Sequence, residues 1–255
     1  MKTITTLIAL FLSTTIYANP IDDICPEHVH PAGAPVSTIT ESQYVCNLNY
    51  AVHFRFDTKT AEYVSYHINP EDISGTAKRK DNFKDDPAIP PEHDVTLADY
   101  AGKPYDRGHL SAAADNSASD EQMSQSFYLS NMVPQNPNQN RGAWRILEDR
   151  IRNLAKTGMD LYVTVGTVYN PGYEVIGDGL GVPQYIWKVV VDAKSNTAVA
   201  FLFPNEPIRT QDISATVTTI EYIEELTGLN FHPNLTDASH LESTGIDTTV
   251  WTLLQ

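Results

Sequence analysis

The sequence is poor in basic residues and in cysteine, and it lacks long apolar runs. Its 255 residues contain 17 Lys and Arg against 32 Asp and Glu, which gives a formal net charge of −15. Such an acidic chain repels phosphate backbones, so its overall charge argues against tight binding of nucleic acid. No stretch approaches the roughly 20 charge-free apolar residues that cross a bilayer, and we therefore expect no stable membrane association.

The first residues have the layout of a secretory signal peptide. Lys2 is followed by an apolar run at 7–12 and by a short segment ending at Ala18, so we expect cleavage after residue 18 and a secreted or periplasmic protein. Residues 19–255 contain no Gly/Ser-rich or Pro-rich linker and are predicted to form one domain. In an oxidising compartment Cys25 and Cys46 are expected to form a disulfide, with free thiols as the alternative.

The negative charge is unevenly distributed along the chain. Residues 78–156 hold eleven Lys and Arg against twelve Asp and Glu, so this segment is nearly neutral while the remainder is strongly acidic. The central segment can therefore meet a phosphate backbone, and the acidic remainder predicts weak non-specific binding and fast product release.

Alternating apolar residues and β-branched enrichment predict strands at 50–56, 61–68, 161–168, 185–191 and 197–203. Short polar turns join the first two and the last two as hairpins. Helical periodicity appears in one group formed by Trp144, Leu147, Ile151, Leu154 and Ala155, and in a second formed by Val217, Ile220, Ile223 and Leu226, ended by Gly228. We predict an α+β fold, with a central, mainly antiparallel sheet flanked by helices and a long loop at 81–106.

The segment Asp106-Arg107-Gly108-His109 carries the first candidate chemistry. A histidine with an unperturbed pKa near 6.5 offers a neutral imidazole at physiological pH, which suits a general base. In an extended segment Arg107 projects to the same face as His109 and can clamp a phosphate beside that base. Protonation of the imidazole then predicts that activity declines below about pH 6.

A second candidate group surrounds the helix after Asn140. Arg141, Arg145, Glu148 and Arg152 form a polar stripe beside the apolar one, as expected for a helix at the rim of a cleft. Two simpler interpretations stay open. Asn140 suits a helix N-cap, and Glu148 with Arg152 suits an exposed i,i+4 ion pair. Trp144 lies on the apolar stripe and is predicted to be a core residue.

These residues resemble the DNA/RNA non-specific endonucleases of the ββα-metal, or His-Me finger, superfamily. The resemblance is carried by two blocks in the order that the family shows. They are Asp106-Arg107-Gly108-His109 and Asn131-Met132-Val133-Pro134-Gln135, the latter followed by Asn140-Arg141-Gly142-Ala143-Trp144 and Leu147-Glu148-Asp149. The resemblance implies a ββα-metal finger, DNA and RNA as substrates, and a one-metal hydrolysis that leaves 5′-phosphate ends.

The resemblance also implies roles for single residues. His109 would be the general base, Asn140 the direct ligand of Mg²⁺, and Glu148 a residue that holds a metal-bound water, with Mn²⁺ as a substitute for Mg²⁺. Arg107 and Arg152 resemble phosphate-contacting arginines, and Asn131 resembles a residue that shapes the site. This ligand set agrees with the tendency of Mg²⁺ to keep several waters and few protein ligands.

One further arginine in the family precedes an aromatic residue and an Asp-Pro pair. Here Arg79 is the candidate because it precedes Phe83 and Asp86-Pro87, and Lys80 or Lys84 is the alternative. For Asp106 we predict a structural role in the turn before His109.

Two other function classes fit parts of the sequence. The acidic composition also suits a catalytically inactive binding module, and the same motifs suit a phosphodiesterase or phosphatase for small esters. His28-Val29-His30 near Cys25 suggests a transition-metal site but lacks further ligands at useful spacing. The sequence leaves open whether the protein forms a homodimer and whether an inhibitor protein binds it.

Overall fold

A computed structural model describes residues 20–238. The predicted signal peptide at 1–18 and the last residues of the predicted domain lie outside this range. The main sheet has seven strands in the order β1-β2-β3-β6-β9-β10-β11, and every neighbouring pair is antiparallel. This is the α+β fold that the sequence predicts. Within residues 20–238 no helix is long and apolar enough to cross a membrane.

The strands are β1 (Ser42–Cys46), β2 (Ala51–Arg55), β3 (Thr60–Ile68), β4 (Asp106–His109), β5 (Met132–Gln135), β6 (Leu161–Val168), β7 (Val175–Ile176), β8 (Leu180–Gly181), β9 (Tyr185–Asp192), β10 (Thr197–Pro204) and β11 (Val217–Thr218). The α-helices are α1 (Pro20–Ile24), α2 (Pro70–Ile73), α3 (Leu97–Tyr100), α4 (Asp120–Gln125), α5 (Pro137–Gln139), α6 (Arg145–Lys156) and α7 (Ile220–Thr227). Short 3₁₀ segments span Pro26–His28, Pro91–His93, Ala113–Asp115, Leu129–Asn131 and Thr210–Thr216, and a π-helical turn spans Asn140–Trp144.

The central strands are buried on both faces because each face is covered by a different layer. Along β9, Ile186 and Val190 belong to the core under α6, whereas Trp187, Val189 and Val191 belong to the core on the opposite face. This separation follows from the two-residue period of a strand. The first core includes Trp144 and Leu147, which confirms Trp144 as a core residue.

The opposite face is covered by the N-terminal segment and by α7. Cys25 and Cys46 form the expected disulfide, with their Cα atoms 5.8 Å apart, and so join the segment after α1 to the edge strand β1. The side chain of Thr219 caps α7 by accepting from the Tyr222 amide, and Gly228 ends the helix with φ 73°. The helix prediction was wrong at Val217, which lies in β11.

The five long strands and both hairpins are confirmed, and so is the ββα finger that the resemblance implies, although the periodic pattern did not mark its two short strands. Strand β4 pairs antiparallel with β5, opposing Asp106 to Gln135 and His109 to Met132. The chain then enters α5 and α6, which completes a ββα unit. Strands of four residues that contain a glycine or a proline give almost no periodic signal.

Candidate active site

The pairing of β4 with β5 depends on the glycine before His109. A Cβ atom built on Gly108 would lie 2.0 Å from Oε1 and 2.6 Å from Cβ of Gln135. Only glycine therefore lets the two strands approach this closely.

His109 lies at the wall of a cleft with its ring packed between aromatic side chains. The ring meets Phe127 edge-on at 4.9 Å between centroids and Phe83 at 5.8 Å, and the residue is 9% exposed. Its Nε2 atom is buried and has no hydrogen-bond partner within residues 20–238. Burial, together with the charges of Arg79 and Arg107, lowers the pKa of His109 to about 3. A pKa this low favours a neutral imidazole below pH 6, so we now expect any loss of activity through His109 protonation to begin at a lower pH than an ordinary histidine would give.

Asn131 lies behind the catalytic face rather than in the cleft. Its side-chain oxygen accepts from the Ser111 amide at 2.9 Å, and its Nδ2 donates to the carbonyls of Ser111 and Ser126, both at 2.9 Å. The backbone of Leu110 donates to the Asn131 carbonyl at 3.0 Å. These bonds use the whole amide, so Asn131 shapes the segment after His109 and does not face substrate. The structure thus places Asn131 outside the cleft lining, where it fits the shaping role that the resemblance implies better than contact with substrate.

Asn140 is not the N-cap of the helix. Asn136 has that role, because its side chain accepts from the amides of Asn138 and Gln139 at 3.0 and 3.4 Å. Asn140 itself has helical φ and ψ values, and the helix kinks two residues later at Gly142, where φ is −106° and ψ is −110°. The capping alternative for Asn140 is therefore excluded.

The Asn140 amide is oriented by Asp106. Its Nδ2 donates to Asp106 Oδ2 at 2.9 Å, which leaves the side-chain oxygen free of that contact. The same carboxylate accepts from Arg141, at 2.8 Å from Nε and 2.5 Å from Nη2. Asp106 thus connects β4 to the helical segment, a role more specific than orienting the turn before His109.

Arg152 is buried beneath the cleft and is paired with two carboxylates. Its Nη1 lies 2.7 Å from Asp115 Oδ1, and its Nη2 donates to Asp149. Arg145 also pairs with Asp149, at 3.1 Å. The interpretation of Arg152 as one half of an exposed i,i+4 pair with Glu148 is therefore wrong, because Arg152 is only 8% exposed and its ion pairs lead elsewhere.

Glu148 reaches the cleft from α6 with a side chain that is 11% exposed. Burial raises the pKa of its carboxyl, while the charges of Lys188 and Arg152 oppose that increase. Lys188 Nζ lies 3.7 Å from Glu148 Oε1. The sequence reasoning missed Lys188, although a single lysine inside the apolar strand β9 was a usable signal.

Among the upstream basic residues, the structure places Arg79 at the site. Its guanidinium stacks over the Phe127 ring at 5.0 Å and its Nε bonds Asp81 at 2.7 Å. Lys80 instead pairs with Asp120 at 3.1 Å, and Lys84 donates to Ser124 at 2.7 Å. Of the three candidates, only Arg79 lines the cleft.

The cleft has a volume of about 400 Å³ and brings together six of the seven predicted site residues. Its lining comprises Arg79, Arg107, His109, Ala112, Ala113, Ala114, Asn140, Arg141, Arg145, Glu148, Asp149 and Arg152. Four of the five arginines at the cleft are paired with aspartates, so the positive charge left for an anion comes mainly from Arg107. Arg107 is the best placed of them, because its guanidinium stacks on Phe83 at 4.2 Å and its buried Nε has no hydrogen-bond partner within residues 20–238.

The structure argues against a transition-metal site at His28 and Cys25. Cys25, His28 and Cys46 lie close together, but both sulfur atoms are used in the disulfide. His28 Nε2 also lies 2.9 Å from the Asn47 carbonyl oxygen. No thiolate ligand therefore remains in this cluster.

Comparison with known proteins gives a consistent result. A family model described as DNA/RNA non-specific endonuclease matches residues 29–238. A nuclease of Nostoc sp. is 33% identical over 235 residues, covering 85% of each chain. The human mitochondrial nuclease EXOG is 32% identical over 80% of this chain and 61% of its own length. Human mitochondrial endonuclease G is 32% identical over 73% of this chain and 68% of its own.

A solved structure shares the fold. A chain from the crystal structure of the EndoG/EndoGI complex, described as showing the mechanism of EndoG inhibition, superposes with a TM-score of 0.75 at 27% identity. The match covers 89% of this chain and 96% of that one. The likeness therefore extends over nearly all of the described residues.

Proposed function

This chain belongs to the family of DNA/RNA non-specific endonucleases and is a phosphodiester hydrolase of nucleic acids, and we propose that it works by a one-metal mechanism with His109 as general base. The observation that carries the proposal is the convergence on one cleft of a neutral histidine, an oriented asparagine and unpaired arginine charge. Each supplies one requirement of phosphodiester hydrolysis.

His109 supplies the base. Its Nε2 is buried, which leaves Nδ1 as the nitrogen that can accept a proton from water in the cleft. The low pKa keeps the ring unprotonated before the reaction. The aromatic side chains of Phe83 and Phe127 fix the ring plane, so the nitrogen is oriented without a hydrogen bond to Nε2. The attacking water would lose its proton to His109 as its oxygen bonds to phosphorus.

The residues at the cleft suit a hard divalent cation. Asp106 holds the amide nitrogen of Asn140, so the amide oxygen is the atom offered to an ion, and Glu148 offers a carboxylate for metal-bound water. Mg²⁺ binds oxygen ligands and usually keeps several waters, so it needs only a few oxygen atoms from the protein. When bound there, Mg²⁺ or Mn²⁺ would stabilise the charge that develops on the phosphate and the leaving oxygen.

The arginines hold the phosphate. Arg107 is supported by Phe83 and carries unused donors, so it can bind a non-bridging oxygen beside His109. Arg79 approaches from the loop that follows α2 and is more exposed. Arg152 is held by Asp115 and Asp149, and its contribution to phosphate binding is electrostatic support from beneath the cleft. Departure of the 3′ oxygen would leave the phosphate on the 5′ end of the downstream fragment.

The decisive experiment compares polymers and a small ester. Purified residues 19–255 are incubated with plasmid, single-stranded DNA, RNA and bis(p-nitrophenyl) phosphate, with and without EDTA, and Mg²⁺ or Mn²⁺ is then restored. We expect internal cuts in all three polymers, loss of activity in EDTA, and recovery with either ion. End-labelling should find 5′-phosphates. If only the small ester is cleaved, the protein is a small-ester phosphodiesterase and not a nuclease. Full activity in EDTA would contradict the proposed metal requirement.

We also propose that the protein is exported after removal of residues 1–18 and functions as a single domain. The disulfide supports this, because such bonds persist in oxidising compartments. Two relatives carry mitochondrial names, so the competing prediction is an organellar leader. Cell fractionation and N-terminal sequencing of the mature protein distinguish the two: a chain starting at Asn19 outside the cytoplasm supports export, and an organellar fraction contradicts it.

A further inference from the structure

A lysine is fully buried in the middle of the sheet. Lys188 is 0% exposed and lies on β9 between Ile186 and Val190, on the face covered by α6. An ammonium group in such a place is unfavourable unless a nearby charge compensates it. An apolar side chain would fill the same space at lower cost, so packing alone does not explain a lysine.

The charge of Lys188 faces the segment that carries the metal ligands. Its Nζ lies 3.7 Å from Glu148 Oε1 and 4.4 Å from the centre of the Trp144 ring. It has no hydrogen-bond partner within residues 20–238. Both contacts therefore come from the helical segment that begins at Asn140, and the cation–π contact adds to the attraction of Glu148 for the ammonium.

The other buried charges nearby are already paired. Asp115 and Arg152 both act on Lys188 electrostatically, but they form their own ion pair at 2.7 Å. Tyr66 also donates to Asp115 at 3.2 Å. Glu148 is therefore the carboxylate left for Lys188, and within residues 20–238 this is the ion pair that Glu148 forms.

We infer that Lys188 is a positioning residue, which fixes the Glu148 carboxylate through Oε1 and so leaves Oε2 for the waters of a metal bound at Asn140. The inference rests on the proposed metal site. It adds to that site an anchor from the opposite layer of the fold, comparable to the way Asp106 anchors Asn140. Groups that orient a metal site in this manner are worth about 10- to 100-fold in affinity.

A double-mutant cycle tests this without using catalysis. Mn²⁺ affinity is measured by electron paramagnetic resonance on substrate-free wild type, Lys188→Met, Glu148→Gln and the double variant. We expect each single change to weaken Mn²⁺ binding about tenfold or more. If Lys188 acts through Glu148, the two changes do not add up. The Mn²⁺ affinity of the double variant then lies within about twofold of the affinity of whichever single variant binds less tightly.

Controls separate positioning from general destabilisation. Val189→Ala alters the next residue of β9, which faces the opposite core, and should lower stability while leaving the Mn²⁺ affinity unchanged. If Lys188→Met does not fold, Lys188→Gln replaces it, since glutamine keeps a donor without the charge. Circular dichroism establishes folding for each variant.

Three outcomes would overturn the inference: Mn²⁺ affinity of folded Lys188→Met within twofold of wild type, effects of the two changes that multiply, or an equal loss in Val189→Ala. Absence of Mn²⁺ binding in wild type would also overturn it, together with the proposed metal site. Hydrolysis of DNA and RNA by the same wild-type preparation decides the nuclease function separately.

Discussion

The two faces of the central sheet differ in what they bury. Beneath α6, the sheet face holds Lys188 and meets Glu148, Arg152 and Asp115 close to the cleft. The opposite face packs Trp187 and Val189 against α7 and the disulfide-bonded N-terminal segment. Adjacent residues of β9 thus face two different layers, and the layer under α6 includes the buried charges next to the cleft.

This difference separates function from stability within one fold. Burying charge lowers the stability that a layer provides, because desolvation offsets much of the attraction. The apolar face and its disulfide can compensate for that loss. We therefore expect changes under α6 and in the finger to act on catalysis, and changes on the opposite face to act mainly on unfolding.

The largest expected effect is at the general base. His109→Ala should reduce kcat by about 10²- to 10⁴-fold, because the water loses its proton acceptor. Steady-state kinetics on plasmid DNA measure the loss. The matched control is His93→Ala, in which the lost ring stacks on Phe56 away from the cleft. If His109→Ala retains a tenth of wild-type activity, another group is the base.

A smaller loss is expected at the carboxylate that orients the metal ligand. Asp106→Ala removes the contacts to Asn140 and Arg141 and should lower kcat/KM about 10- to 100-fold. Raising the Mg²⁺ concentration should recover part of the activity. Asp178→Ala, at an exposed carboxylate paired with Lys59, is the control. Activity of Asp106→Ala within twofold of wild type would contradict the role assigned to Asp106.

On the opposite face the expected effect is on stability alone. The double change Cys25→Ala/Cys46→Ala opens a loop with a sequence separation of 21 residues. It should lower the free energy of unfolding by about 3 kcal/mol in the chain-entropy view, with kcat at 25 °C unchanged. Urea unfolding and plasmid cleavage measure the two quantities. A tenfold fall of kcat in the folded variant would contradict the proposal that the opposite face affects stability and not catalysis.

The smallest effect is expected from mild acid. Only the neutral imidazole accepts a proton, and burial lowers the pKa of His109 to about 3. With metal kept saturating, kcat/KM should change less than about twofold between pH 8 and 5.5, whereas an ordinary histidine would cost about tenfold. A midpoint near pH 6.5 would show that His109 titrates normally.

The same pKa shift has an opposite consequence for stability. The unfolded chain binds a proton at His109 near pH 6.5, which the folded chain does not bind until about pH 3. Stability is therefore present above the unfolded pKa and is lost as pH falls toward the folded one. Thermal unfolding of wild type and His109→Gln at pH 7 and pH 5 measures this: the variant should lose less Tm than wild type.

Much of the fold could be predicted because its signals are local. Strands at 161–168 and 185–191 show the enrichment expected of buried strands, and Gly228 ends a helix by adopting a left-handed conformation. Periodicity alone did not mark the finger strands, since their pairing depends on contacts between distant residues such as Gly108 and Gln135, and only the family resemblance pointed to the finger. Val217 was misassigned because one apolar residue fits a helical period as well as a strand.

The sequence named candidate residues that share one cleft, but it did not give the contacts that hold them there. Residue type and order pointed to His109, Asn140 and Glu148, all of which line the cleft. The partners that position them, Asp106 and Lys188, were assigned a minor role or missed. Asp106 is 34 residues from Asn140 along the chain, and Lys188 is 40 residues from Glu148. At such separations the spacing in the sequence does not predict which side chains are in contact.

By itself the sequence determined the family, the α+β class and the chemical groups of the site, because periodicity, turn residues and motif order are properties of neighbouring residues. Only the tertiary structure decided that Asn131 is internal, that Arg152 is held by Asp115, and that the pKa of His109 is low. These depend on burial and on charges brought together from distant segments, since desolvation and Coulomb energy are set by distance in space.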